Sequence, residues 1–167
     1  KYKEEVFAIQ EEKLKEYFEF YQVLSWLHSF VGKFFSIEIK KTWETKDNLY
    51  YEVFKDWNLI SYFFLDAFYR PGKRPGAWAD ILRAKNSKQL PIILNVCNFQ
   101  KSESWTTLLK LSDVETLFHE FGHALHGMLS NCYYNTLSGT SVARDFVEMP
   151  SQFNESFASI PEVFNHY

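Results

Sequence analysis

The chain has 167 residues, is 46% hydrophobic and 19% aromatic, and carries a net charge of −3. That length and ring content suit one domain with a substantial core. Lys and Arg are scattered among Asp and Glu, so no basic block marks nucleic acid or an anionic membrane as a partner. No apolar run is long enough to span a bilayer, and two cysteines make no disulfide framework. The thiol usage suits a reducing, cytoplasmic setting. The chain starts at Lys1 and ends on "PEVFNHY". It therefore reads as one partial domain, residues 1–167, whose missing remainder is an expected partner.

Residues 3–35 are rich in Glu, Lys, Phe and Leu and contain no proline. They predict a short helix near 11–18 and a longer one near 20–35. On the second, Phe20, Val23, Leu24, Leu27, Phe30 and Val31 follow helical spacing. Gly32 is its only breaker. His28, among Trp26, Leu27 and Phe30, reads as a partly buried helix residue. "SIEIKKTW" alternates at Ile37 and Ile39 and predicts a strand. "NLYYEVFK" and "NLISYFFLDAF" predict two strands joined by a turn at Asp56-Trp57-Asn58, with Tyr62-Phe63-Phe64 in the core. "YRPGKRPGAW", residues 69–78, has two Pro-Gly steps and reads as a loop. Its Arg70, Lys73 and Arg74 read as solvated, with a peptide carboxylate as the alternative partner. "QLPIILNVCNF", residues 89–99, predicts a strand. A helix follows from near Ser112, and a last one from roughly Asp145 to Ala158. Cys97 and Cys132 read as packed or inert thiols. The expected class is α+β, mainly helical, with a small sheet beside the helix that begins near Ser112.

That helix carries "TLFHEFGHALHG". Ser112 and Glu115 fit a capping box, and Asp113 puts negative charge near the positive end of the helix dipole. At about 100° per residue, His119, His123 and His126 share one face, while Val114, Leu117, Phe118, Phe121, Leu125, Met128 and Leu129 share the other. Residues four apart stack on a helix surface, so His119 and His123 can reach one zinc ion. Glu120 sits beside the pair, placed to deprotonate a water activated by the ion without being a ligand itself.

A catalytic zinc takes three protein ligands and leaves one position open. His126 is seven residues from His119, about 10.5 Å along the axis, too far to share the ion. "ARDFVEMPSQ" offers Asp145 and Glu148. Glu148 is favoured as the third ligand. Asp145 is placed against a histidine N–H, with an N-cap role as its rival. Pro150 is tolerable only near a helix start or a kink.

"HEFGHALHG" followed by "TLSGTSVARDFVEMPSQFNE" resembles the thimet-oligopeptidase-like family of zinc peptidases, within it the bacterial peptidyl-dipeptidase branch. "FFLDAFYRPGKRPGAW" and "ILNVCNFQK" carry the same resemblance, which covers most of the chain. It implies a gluzincin-type catalytic core in which His119, His123 and Glu148 bind one Zn2+ and Glu120 activates water. It implies short peptides as substrates, cleaved in a channel between two largely helical halves. The family usually has Pro and Tyr where Ala67 and Phe68 stand, a second Gly at Pro75, and a Trp near Phe157. Its tyrosine and histidine donors lie beyond this chain, and His166 and Tyr167 are not their counterparts. The strand "PIILNVCNF" reads as a buried core strand, with a peptide backbone held beside it by strand addition as the alternative. Asn98, Phe99 and His126 are the expected substrate contacts. The expected activity is zinc-dependent hydrolysis of short oligopeptides. The alternatives are a truncated zinc-binding module without turnover and a zinc-free fragment.

Overall fold

The first α-helix among the described residues starts where Glu19 can cap it: its carboxylate accepts the Gln22 backbone N–H at 2.9 Å. This helix, α1, spans Phe20–Phe35 and buries Phe20, Val23, Leu24, Leu27 and Val31. It stops at Ser36, whose φ of 54° is left-handed. The Ile37 N–H then returns to the Gly32 carbonyl at 3.1 Å. A Cβ at Gly32 would stand 2.9 Å from the Ile37 oxygen, so Gly32 serves the return of the chain rather than breaking the helix. The structure, a computed structural model, describes residues 15–86, 88–102 and 106–159. The first half of the helix expected near 11–18 lies outside them, and what is described of the rest is a 3-10 turn, Lys15–Tyr17.

Strands β1 (Glu38–Glu44), β2 (Leu49–Lys55) and β3 (Asn58–Phe68) form an antiparallel meander. The β2–β3 turn is two residues, Asp56 and Trp57, with φ of 49° and 66°. Positive φ at both positions matches the right-handed twist of the flanking strands. β4 (Trp78–Arg83) and β5 (Ile92–Phe99) complete a five-stranded sheet of order β1-β2-β3-β5-β4. β5 runs parallel to β3 and antiparallel to β4. This corrects one expectation and decides between two readings of another. β4 is a strand that the sequence reading passes over, because a short edge strand carrying Asp80 and Arg83 has little apolar alternation. β5 lies between β3 and β4 over Ile92–Val96, which fits the core-strand reading and leaves no room there for strand addition; among the described residues the free edge on that side is β4.

Helix α2 spans Leu111–Met128. Its start is set by Asp113, whose carboxylate accepts the Lys110 backbone N–H at 2.9 Å, rather than by Ser112 and Glu115. Val114, Leu117, Phe118, Phe121, Ala124, Leu125 and Met128 are buried on α2. They join Phe63, Leu65, Ile93, Cys97 and Phe99 of the sheet and the buried face of α1 in one cluster. Each Val, Leu, Ile, Phe or Met among them, once buried, contributes about 1.5–3 kcal/mol. Phe121 meets Phe63 edge-on at 5.1 Å. His28 packs against Tyr51 and Phe121, and burial pulls its pKa down to about 3. Phe63 is buried, whereas Tyr62 and Phe64 point to the other face of the sheet and are half-buried.

Helix α3 is short, Met149–Ser156, and runs on as a 3-10 turn, Phe157–Ser159. Residues 144–148 are turns, so the helix expected from Asp145 begins four residues later. Pro150 sits in its first turn, where the missing N–H has no helical partner to lose. The α+β class holds, but the five-stranded sheet rivals the helices in extent, so the chain is not mainly helical. No helix among the described residues is long and apolar enough to cross a membrane. Cys97 is buried and Cys132 is exposed, so only the first is packed.

Candidate metal centre

One turn of α2 brings the His119 and His123 rings to 5.0 Å between centroids. Their Nε2 atoms both face one oxygen of Glu148: Oε2 lies 3.2 Å from His119 and 3.1 Å from His123. One ligand atom from each of the three residues falls within 4.8 Å of the others. Two imidazole nitrogens and a carboxylate oxygen converging on one point are a donor set that suits zinc. Glu148 is the N-cap residue of α3, so the position of that helix on α2 decides whether its carboxylate reaches the histidines.

Three features set that position. Gly122 is the point of closest approach: a Cβ there would stand 2.6 Å from Ser151 Cα and 2.8 Å from the Pro150 carbonyl. Asn154 donates its amide to the Phe118 carbonyl of α2 at 2.5 Å. Ser151 donates its hydroxyl to Glu148, at 2.8 Å to the carbonyl and 2.9 Å to Oε2. On the outer side of the pair, Glu155 Oε2 lies 2.7 Å from His119 Nδ1. With the proton on Nδ1, this contact leaves the His119 Nε2 lone pair free to bind an ion.

A family model described as peptidase family M3 matches residues 1–167. The chain belongs to peptidase family M3. Among its relatives are a dipeptidyl carboxypeptidase of Escherichia coli (strain K12), 38% identical, and an oligopeptidase A of the same organism, 35% identical. The first match covers 98% of this chain and 25% of the relative, the second 100% and 27%. A thimet-like oligopeptidase of Dictyostelium discoideum is 35% identical over 89% of this chain and 24% of its own length. This M3 chain thus spans about a quarter of the length of the curated relatives it matches.

In this M3 chain Glu120 is 7% exposed, and its Oε2 is buried without a partner among the described residues. Burial raises its pKa to about 7; His119 opposes the shift and Glu148 adds to it. Glu148 lies below the usual carboxylate range, because the Ser151 hydroxyl and the two histidines outweigh its slight burial. Burial lowers both His123 and His126, which favours the neutral, metal-binding form of His123. An open cleft runs beside the pair, lined by Ala77, Ser112, Glu115, His119, Glu120 and Glu155.

The remaining expected residues fall elsewhere. Asp145 is exposed in the turn before α3 and makes no hydrogen bond or ion pair among the described residues. The carboxylate against a histidine is instead Glu155, ten residues after Asp145. A cue was present: Glu148 and Glu155 are seven apart, two turns on one helix face. Phe99 is 4% exposed and packed in the core. Asn98 gives its amide to the Arg74 and Gly76 carbonyls, at 2.9 and 2.7 Å. His126 lines an apolar groove with Leu125, Leu129, Met149, Pro150 and Phe153, and its ring meets Phe146 at 6.2 Å. The side chain of Lys73, expected in solvent, is only 5% exposed.

Proposed function

We propose that this chain is the zinc-binding part of a peptidase that hydrolyses short oligopeptides, of oligopeptidase or peptidyl-dipeptidase type. The observation that carries the reading is the meeting of His119, His123 and Glu148 at one point, with Glu120 about a quarter-turn round from His119 and lining a cleft with it. Membership of family M3 and the names of its relatives support it. His119, His123 and Glu148 would hold the ion, with Glu155 fixing the His119 ring and Ser151 fixing the Glu148 carboxylate. Bound zinc supplies Lewis acidity and brings the pKa of water toward neutrality.

Glu120 then does the proton work. Its raised pKa suits a group that must take a proton from water and return it to the leaving amine near neutral pH. An extended peptide would lie along β4, the open edge nearest the cleft, where unpaired backbone groups can accept a further strand. Asn98 and Phe99 are then supports of the site rather than contacts to the peptide.

A second reading has one observation in its favour: the chain covers only a quarter of its relatives. The isolated chain would then bind zinc and fail to turn over, because groups that stabilise the tetrahedral intermediate lie in the remainder. Metal analysis of the purified chain, with a quenched peptide assay of chain and full-length gene product, decides. The peptidase reading expects near one zinc in both, cleavage by the full-length protein, and a drop of about 10²–10⁴ in Glu120→Gln with zinc retained. Full activity in Glu120→Gln would remove Glu120 from its role. Absence of bound zinc from both forms would remove the metal site.

A further inference from the structure

The loop between β3 and β4, residues 69–77, is held far more tightly than a solvated Pro-Gly loop needs to be. Lys73 has only 5% of its side chain exposed. Its three N–H donors are shared among four oxygens: the Cys97 carbonyl at 2.5 Å, Asp66 Oδ1 at 2.8 Å, the Phe68 carbonyl at 2.9 Å and the Asp66 carbonyl at 3.0 Å. Those oxygens belong to the ends of β3 and β5, so one side chain ties both strands to the loop. Arg70 closes the other side of the Asp66 carboxylate with two bonds, at 2.7 and 3.0 Å. Burial works against the Asp66 charge, and the two cations overcome it and hold the carboxyl below the usual range. Further on, the Asn98 amide grips the Arg74 and Gly76 carbonyls. Gly72 and Gly76 have φ of 83° and 95° with nothing near an added Cβ, so the loop needs them for its backbone path alone.

What this clamp delivers is the start of β4. Ala77 follows Gly76 directly and lines the cleft with His119 and Glu120. Trp78 and Ala79 begin the ladder to β5 opposite Val96 and Asn95. A charged lysine taken out of water is a poor choice for stability alone, since an apolar side chain of the same volume often does as well. Its four acceptors instead specify where three backbone segments meet.

We propose that Lys73 and Asn98 are positioning residues that set the free edge of β4 against the His119–Glu120 cleft, and thereby the affinity for an extended peptide. This rests on the peptidase reading, and on β4 as the strand that a peptide joins. Neither residue touches the proposed metal ligands, so the clamp acts on substrate binding and leaves proton transfer alone.

The test uses the full-length gene product. Lys73→Met keeps the stem and removes the ammonium. Asn98→Ala removes the amide, and Asn98→Gln restores it on a longer arm. Each loss is expected to raise KM for a quenched peptide about tenfold, as for one or two missing backbone hydrogen bonds, with kcat within about twofold and zinc content unchanged. Asn98→Gln is expected to recover part of the loss. Amide hydrogen exchange is expected to quicken at residues 77–83 and to stay slow along α2. If Lys73→Met fails to fold, the Asn98 pair still decides. Unchanged KM and unchanged exchange at 77–83 would overturn the proposal, as would a KM effect in Asn98→Ala that is absent from a folded Lys73→Met, which would mean direct contact between Asn98 and the peptide. Should the parent protein cleave no peptide, the hydrolase reading fails, and the exchange rates alone judge the clamp.

Discussion

Helix α2 has two working faces, and they are built from different materials. Toward the sheet and α1 it presents Val114, Phe118 and Phe121, apolar side chains of the common core, with Phe121 against Phe63 and Phe118 stacked on Trp26. Toward α3 it presents a bare backbone at Gly122, the Phe118 carbonyl to Asn154, and two imidazoles to carboxylates. The first face tolerates small shifts, because hydrophobic contact is non-directional. The second does not, because a donor set must meet within a few tenths of an ångström to hold an ion. One helix can therefore carry the core and the site at once, with stability and metal affinity separable by mutation.

The largest effect is expected on the sheet side. Phe121→Ala should lower stability by about 3–5 kcal/mol, seen in urea or thermal unfolding. Zinc affinity of the molecules that remain folded should change little; a large loss of affinity without loss of stability would erase the distinction between the faces.

Protonation of Glu120 provides the next. In metal-free protein its folded pKa of about 7 exceeds its ordinary 4.5. The folded state then keeps a proton that the unfolded chain has already released between those values. Stability should accordingly fall as pH rises from about 4.5 to 7, by roughly 3 kcal/mol at most. Glu120→Gln should flatten this slope in chemical denaturation across that range, and an unaltered slope would assign it to other groups.

Gly122→Ala probes the α3 side. The added methyl meets backbone at 2.6 Å, so α3 must move outward, at about 1–3 kcal/mol. Zinc affinity should fall more than stability does, as read by competition with a chromophoric chelator. An alanine variant with the parent's affinity would show that α3 reaches Glu148 to the site by another route.

The smallest effect belongs to Glu155→Gln. It keeps the shape and loses the charge that faces His119 Nδ1. A drop of about 10–100-fold in zinc affinity is expected, with little change in unfolding. The same change at Asp145 should do nothing, and a reversed pattern would restore Asp145 to the role first expected of it.

Much was determined locally and could be read directly. α1 starts and stops where expected because a Glu19 cap at its start and a left-handed Ser36 at its end are properties of short segments. β2 and β3 follow from their β-branched and aromatic runs around a two-residue turn. The pairing of His119 with His123, and Glu120 beside them, needs only the period of a helix. Other features depended on which segments meet. β4 shows as a strand only once β5 lies beside it. Whether Asp145 or Glu155 faces His119 depended on where α3 begins, which Pro150 and the contact at Gly122 decide together. Lys73 is charged and sits among prolines and glycines, so nothing nearby in the chain marks it as buried; the four oxygens that hold it come from Asp66, Phe68 and Cys97, brought together by the sheet. Periodicity and capping act over a few residues and leave their trace in the order of the amino acids. The choice of partner across the fold is settled by packing between distant segments, and only the assembled structure records it.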